Sequence, residues 1–343
     1  MSDQPVREQS ASKQPVLTVI GEALIDLLPD GAPGGYRARP GGSPFNVAIG
    51  LARLGHRTAL MARLADNAFG RLLRGHAAAE GIDLGHAPHA AEPTTLAVVS
   101  LDDAAQASYD FYLNATADWQ WTAAEAADLP RDTSVLHLGS LASWTAPGHD
   151  RIYAAAADLR RGDGVLISYD PNIRPLLLGE PAAARPLIER CVGVAHVVKA
   201  SREDLGWLYP GAEAGQVARH WLSLGPLLVV VTDGPHGAHL FRRHSAPVHR
   251  SGLEIRLVDT VGAGDAFTAG LLSALVRRDL YAPEQLRQCP PGLLAAALDD
   301  AILVSALTCE RAGADPPTAA EFETGTRDRF HADGDGRPQP PRA

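Results

Sequence analysis

Apolar residues along this chain follow two rhythms. Short, almost uninterrupted apolar runs at residues 16–20, 135–138, 165–169, 196–198 and 227–231 read as strands buried on both faces. Alanine- and leucine-rich helical patterns separate them. That alternation predicts an α/β fold, a doubly wound, mostly parallel sheet with helices on both faces. A second rhythm appears at 94–101 and 107–112, two strand-like runs around the polar stretch 102–106, which predicts a β-hairpin inserted into the α/β pattern. Together with strands between Leu24 and Tyr36, it forms a candidate β lid drawn from about residues 22–44 and 92–118, able to close over a substrate and exclude water. An ordinary surface hairpin or a dimer contact fits the same pattern. Residues 1–14 and 326–343 have almost nothing to bury and are expected to be disordered tails around one folded domain, 15–325.

Composition then removes several classes of function. A chain of 343 residues with 45% hydrophobic content buries one large core or two modest ones. A net charge of −9 argues against a nucleic-acid surface, which carries a basic footprint. Small molecules are the expected partners. The three cysteines, Cys191, Cys289 and Cys309, show no C-x-x-C spacing, so neither a disulfide framework nor a zinc site is indicated, and a reducing cytoplasm fits. No apolar run is expected to span a membrane, and the polar N-terminus lacks the core of a signal peptide. Lysine occurs only at positions 13 and 199, which makes Lys199 the sole lysine of the folded part.

The densest chemistry lies at Asp259-Thr260-Val261-Gly262-Ala263-Gly264-Asp265-Ala266-Phe267. Residues 253–258 before it read as a short strand, and Phe267, Leu271 and Leu275 after it share one helical face. A helix starting here would point the N–H groups of Gly262, Ala263 and Gly264 outward, where the helix dipole favours a phosphate oxygen. Asp265 sits in the first turn, where a carboxylate also serves simply to complement the dipole. In parallel sheets ligands bind beyond the carboxyl ends of the strands. There this chain places Asp170-Pro171-Asn172-Ile173-Arg174, Lys199-Ala200-Ser201 and Thr232-Asp233-Gly234, residue types that also start loops and cap helices. A second dense segment runs from Gly41-Gly42-Ser43-Pro44-Phe45-Asn46 through a helix to Gly55. The glycine pair reads as a hinge or as a plain loop, and Asn46 can both donate to and accept from a hydroxyl.

These two dense segments, in this order, resemble the two signatures of the ribokinase-like (PfkB) carbohydrate kinases. The resemblance runs from about Val16 to Pro317. It includes Gly21-Glu22-Ala23-Leu24-Ile25-Asp26, the Asp-x-x-Phe-Gly segment from Asp66 to Gly70, a substrate-side loop at Asp170 to Arg174 and a nucleotide-side loop at Thr232 to Gly237. It implies ATP-dependent phosphorylation of a sugar hydroxyl, with Asp265 as base and Gly262, Ala263 and Gly264 as anion hole. Asp26, Gly41, Gly42 and Asn46 would hold the sugar, and Arg174 would reach the sugar or the transferred phosphate. Lys199, Ser201, Thr232, Gly234 and Gly237 would line the nucleotide side. Mg2+ would bridge the ATP phosphates with help from Asp204, and K+ would bind near Asp259 and the Gly313-Ala314 loop. A lid-to-lid homodimer is expected as well, because an open lid sheet exposes apolar surface and unpaired strand edges.

Three departures from the pattern bear on the substrate. Leu113, after Phe111-Tyr112, stands where many fructokinases and ketodeoxygluconate kinases have arginine. Ser201-Arg202-Glu203-Asp204 replaces Asn-x-x-Glu, and Ser43 replaces the lysine of ribokinases, which favours a hexose, fructose first. 2-Keto-3-deoxygluconate and nucleosides are the alternative acceptors, and a non-catalytic sugar-binding regulator is the alternative of another class. A dinucleotide oxidoreductase would need Gly-x-Gly-x-x-Gly after an early strand, and a P-loop enzyme a Gly-Lys pair. The chain has neither.

Overall fold

The computed structural model describes residues 14–330 apart from 33, 102–106 and 163. In the first half of the chain the strands are β1 (Val16–Ile20), β2 (Leu24–Pro29), β3 (Tyr36–Gly41), β4 (Arg57–Met61), β5 (Leu64–Ala65), β6 (His89–Ala90), β7 (Leu96–Leu101) and β8 (Ala107–Tyr112). The second half adds β9 (Thr133–Gly139), β10 (Leu166–Asp170), β11 (Val197–Ser201), β12 (Leu228–Thr232), β13 (Ala238–Arg242) and β14 (Val248–Arg250). Helices α1 (Ser43–Arg53), α2 (Ala68–Ala79), α3 (Ala123–Ala127), α4 (His149–Gly162), α5 (Pro175–Leu178) and α6 (Pro181–Val194) alternate with them. They are followed by α7 (Arg202–Leu208), α8 (Ala214–Leu224), α9 (Ala263–Arg277), α10 (Pro283–Gln288), α11 (Pro291–Cys309) and α12 (Ala319–Phe330).

The central sheet has eight strands in the order β14-β13-β12-β11-β10-β9-β1-β4. Strands β4, β1, β9, β10, β11 and β12 are parallel, and β13 and β14 turn back antiparallel at one edge. Each of the five continuous apolar runs forms a strand of this sheet. Their neighbours along the chain point to opposite faces: Val19 and Val230 join a core under α1, α9 and α11, whereas Ile20, Val229 and Val231 join a core with Trp221 on the other side. Both faces are therefore covered, as continuous apolar strands require.

The lid is a four-stranded sheet in the order β3-β2-β7-β8, so the expected hairpin is present and pairs with the segment that follows β1. Its turn, 102–106, lies outside the described residues.

Three expectations need correction. Residues 253–258 form no strand. Leu257 and Val258 are 61% and 53% exposed, and the stretch meets backbone partners only at its end, where Val258 N and Asp259 N both donate to Cys309 O. The second correction is the C-terminal boundary: α12 continues through 326–330, with Thr326 Oγ1 donating to Phe322 O at 2.9 Å, while 331–343, like 1–13, lies outside the described residues. The third concerns α11, whose 19 residues are long and apolar enough by composition to cross a membrane. More than half of it is buried inside the protein, against α9.

Candidate active site

Helix α9 begins at the carboxyl-end side of the sheet because Gly262, at φ 76° and ψ 0°, turns the chain in the left-handed region, which L side chains avoid. A methyl there would lie 2.5 Å from Ala314 Cβ. Leu271, Leu272 and Leu275, buried to 1% exposure or less, anchor the helix, each adding about 1.5–3 kcal/mol. Of the three amides expected to form the anion hole, Ala263 N–H turns back to Thr260 O at 3.2 Å. The amides facing outward narrow to those of Gly262 and Gly264.

The ammonium of Lys199 strengthens that end. Its Nζ lies 3.0 Å from the point where a Cβ on Gly264 would stand, so a full positive charge abuts the positive end of the helix dipole. Lys199 is buried and pairs with Asp170 at 2.8 Å. Burial alone would depress its pKa, but Asp170 beside it overrides that and holds it raised. Thr268 Oγ1 donates to Gly264 O at 3.1 Å, tying the helix start to the same cluster. Asp170 belongs to this site although the sequence reading gave it no role of its own. Its signal was register: Tyr169 pairs with Val198, which sets the next residues, Asp170 and Lys199, side by side.

Asp265 faces α1. The two helices approach closely because Gly50 lies against Ala269, where a methyl on Gly50 would come within 2.7 Å of Ala269 Cβ. Ser43 Oγ donates to Asp265 Oδ1 at 2.6 Å and Asn46 Nδ2 to Oδ2 at 2.8 Å. Asn46, expected on a sugar hydroxyl, gives one of its two amide N–H donors to the carboxylate. Ser43 gives its hydroxyl, a role not visible in its sequence context. Burial raises the Asp265 pKa, while Ser43, Asn46 and Lys199 oppose the rise.

Asp26 completes the group from the lid. Burial, opposed by Arg174 and reinforced by Asp265, pushes its pKa up to about 6, so Asp26, Arg174 and Asp265 share one electrostatic neighbourhood. Arg174 is braced by Nη1 donating to Asn172 O, Asn172 Oδ1 and Ile173 O. Gly41 lies opposite Leu24, and a Cβ on it would stand 2.1 Å from Asp26 Oδ2. Gly42, at φ 103°, precedes α1 and leaves no room for a side chain over Glu22 O. Gly41→Ala therefore displaces the end of a side chain rather than backbone. We expect a Tm change of at most a few degrees and a sugar KM raised about tenfold, the equivalent of one lost hydrogen bond to a charged group, measured by steady-state kinetics and thermal melting.

Beneath the lid hinge are two carboxylates that the sequence reading also left without a role. Glu22 Oε2 accepts from Ala142 N at 3.0 Å and Asp118 Oδ1 from Ala23 N at 2.9 Å. Burial pushes Glu22 up to about 7 and Asp118 to about 6.

Ser201 and Thr232, expected on the nucleotide side, are paired neighbours at the ends of β11 and β12. The turn holding Gly234 and Gly237, both at positive φ, is tied to α7 by an Arg202–Asp233 ion pair of 2.8 Å. Asp204 is engaged by backbone: Oδ2 accepts from Ser201 N and Oδ1 from Ile173 N, and it closes a capping box on α7. Asp204, expected beside Mg2+, thus also caps α7. Among the described residues no group of three or more His, Cys, Asp or Glu is arranged to hold a metal. Asp259 does meet the Gly313 loop, with Oδ2 accepting from Gly313 N at 2.8 Å and Oδ1 from Val261 N at 3.0 Å. Leu113, which replaces the arginine of related kinases, packs against the core on the Trp221 side of the sheet.

Comparison with known proteins agrees with this geometry. Residues 15–320 match the model of the pfkB family carbohydrate kinases. A fructokinase of Rhizobium leguminosarum bv. trifolii is 35% identical over 94% of this chain and 97% of its own length, and one of Klebsiella pneumoniae is 34% identical over 84% and 92%. Among solved structures, a double mutant of Vibrio cholerae O395 fructokinase bound to fructose, ADP and potassium superposes with a TM-score of 0.79 at 30% identity, covering 91% of this chain and 98% of that one. Xylella fastidiosa fructokinase with bound ATP superposes at 0.83 and 26% identity, covering 92% and 99%. With residues 15–320 matching that family model, and relatives 34–35% identical over most of its length, the chain belongs to the pfkB family of carbohydrate kinases.

Proposed function

We propose that this protein is a fructokinase, transferring the γ-phosphoryl group of ATP to a hydroxyl of fructose. One observation carries the reading: a single carboxylate, Asp265, is held by Ser43 and Asn46 directly beside the amides of α9 and the Lys199 ammonium. Asp265 orients the sugar hydroxyl and accepts its proton as the bond to phosphorus forms. Gly262, Gly264 and Lys199 receive the charge spread over the transferring phosphoryl oxygens, where fixed dipoles supply most of the catalysis. Asp26 and Arg174 hold the sugar from the lid and the β10 loop. Ser201, Thr232, Gly234 and Gly237 line the nucleotide side.

The phosphates of ATP fit the helix start and the lysine. Mg2+ bound to those phosphates would neutralise charge during transfer. Asp259 and the Gly313 loop are the place for K+, supported by the carboxylate's contact with that loop. Tyr36 and Tyr112, 47% and 61% exposed on the lid, together with its free strand edges, support a lid-to-lid homodimer. Three buried free cysteines suit a cytoplasmic setting.

The test is ADP release with Mg-ATP over fructose, ribose, 2-keto-3-deoxygluconate, adenosine and fructose 6-phosphate. Fructose is expected to give the highest kcat/KM. Because Asp26 has a pKa raised to about 6, it is ionised above that pH and protonated below it. Fructose KM should therefore rise as pH falls through 6. A flat KM from pH 7 to 5 would remove Asp26 from the sugar site, and preference for another acceptor would reassign the substrate.

A further inference from the structure

Helix α1 carries the two donors that hold Asp265 near its start, and at its last residue it carries a guanidinium turned away from the helix. Arg53 Nη1 donates to Asp315 Oδ1 and, at 3.0 Å, to Pro316 O, while Nε and Nη2 donate to Glu80 Oε1 at 3.0 and 2.7 Å. The fork therefore has two arms. One ties α1 to the end of α2, and the other ties it to residues 310–318, the irregular connection between α11 and α12.

That connection backs the proposed phosphate-binding turn. Gly313 N donates to Asp259 Oδ2 at 2.8 Å, and Ala314 stands so close to Gly262 that a methyl on Gly262 would lie 2.5 Å from Ala314 Cβ and 2.8 Å from its Cα. Pro316 is buried beside α1, 3.7 Å from the point where a Cβ on Gly50 would stand. The loop has little regular pairing to fix it. Pro316 and Pro317 have no N–H to give, and within residues 312–316 the backbone bonds to itself through Asp315 N and Gly313 O at 2.9 Å. A path of contacts thus runs from Arg53 through Asp315 and the adjoining Ala314 to Gly262.

The plain account of Arg53 is an ion pair joining two helices. It explains the Glu80 arm. It does not explain the bonds to Asp315 and Pro316 O, which belong to neither helix. Asp315 also has a second guanidinium, Arg311 at 3.6 Å, so charge alone does not call for Arg53. What Arg53 adds is a bond to the neighbouring carbonyl, which fixes backbone. From Asn46 the helix runs roughly 10 Å to Arg53 at about 1.5 Å per residue, and all the bonded donors are turned to Glu80, Asp315 and Pro316, so Arg53 acts through other residues.

We propose that Arg53 is a positioning residue for phosphoryl transfer, fixing the Gly313–Pro316 loop behind Gly262 so that the Gly262 amide keeps its aim at the transferring group. The inference rests on the proposed phosphoryl transfer and adds to it a residue outside the site. Both ends of α1 then serve one reaction, Ser43 and Asn46 through the base and Arg53 through the anion-binding turn. A fixed donor stabilises developing charge only while it stays aimed.

Three variants separate the two arms: Arg53→Met, Asp315→Ala, whose side chain is 47% exposed, and Glu80→Gln on the α2 arm. With Mg-ATP, potassium held constant and the best acceptor of the panel, Arg53→Met and Asp315→Ala should lower kcat about tenfold and raise the KM for ATP, with the sugar KM within about twofold; a misplacement of about 1 Å can cost up to about 10²-fold. Glu80→Gln should lower Tm as Arg53→Met does and keep the wild-type kcat. Amide hydrogen exchange gives a readout free of the reaction. Peptides covering residues 259–264 should exchange at least about tenfold faster in Arg53→Met and Asp315→Ala, the equivalent of one lost hydrogen bond to a charged group, and at the wild-type rate in Glu80→Gln. A kcat that falls in step with Tm across all three variants would overturn the proposal and leave Arg53 a structural clamp. Unchanged exchange at 259–264 in Asp315→Ala would overturn it too, and keeps the test decisive where Arg53→Met fails to fold. Silence of the wild type on every acceptor would overturn the phosphoryl-transfer reading and this role with it, an outcome told apart from the other two because it needs no variant.

Discussion

Asp265→Asn should lower fructose-dependent kcat about 10³-fold, within the range of about 10²–10⁴ that a positioned proton acceptor supplies, while leaving the affinity for fructose within a few-fold. The asparagine keeps the shape of the side chain and one oxygen for Ser43 or Asn46, but it cannot take the proton of the sugar hydroxyl. One of the two donors, Ser43 Oγ or Asn46 Nδ2, will then face an NH2 group, so the carboxamide will sit less firmly than the carboxylate does. Stability should not suffer. Burial disfavours the ionised form of Asp265, and a neutral replacement relieves that cost, so the variant should melt at or above the parent temperature near pH 7. Fructose binding followed by calorimetry, turnover by ADP release and a thermal melt separate the three quantities. A loss of fructose affinity as large as the loss of kcat would make Asp265 a sugar ligand and move the base elsewhere.

Much of this site could be read along the chain because its parts are local. The start of α9, the end of each parallel strand and the glycine pair before α1 are each set by fewer than about ten residues, the reach over which turn and capping chemistry operate. What could not be read joins distant segments. Ser43 and Asn46 meet Asp265 across 222 and 219 residues, and nothing in their local sequence says that a hydroxyl and an amide will orient a carboxylate. Asp204 shows the converse: its acidic type was legible beside a ligand-bearing strand, but that its two oxygens accept from Ser201 N and Ile173 N appears only in the fold. Residues 253–258 fail for a third reason. Their composition suits a strand, but a strand also needs a neighbour with free backbone groups, and here the chain meets only the carbonyl that ends α11. The hinge carboxylates Glu22 and Asp118 were legible as residues but not as a buried pair, since burial is a property of the assembled lid.

Lys199 separates structure from catalysis most sharply, since it pairs with the buried Asp170 and also stands at the helix start of the proposed phosphoryl site. Lys199→Met removes the partner of a carboxylate that is only 1% exposed, and an uncompensated buried charge of this kind costs about 3–5 kcal/mol. The same change removes a positive charge from the helix start, where loss of one donor to the transferring group costs about 10²–10³-fold in kcat. A single variant cannot tell the two effects apart, because a weakened fold also lowers activity. The second change should be Asp170→Asn, which neutralises the stranded carboxylate while keeping an oxygen to accept from Asn172 N, now at 3.0 Å. Replacing both members of a buried ion pair with neutral groups is often close to neutral for stability, so the double variant should regain most of the lost melting temperature. It should not regain turnover, because the helix start still lacks its ammonium, and the deficit should appear in kcat and in ATP affinity rather than in fructose KM. Recovery of kcat together with stability would show that the ion pair only holds β10 beside β11, leaving the amides of α9 to stabilise the transferring phosphoryl group alone.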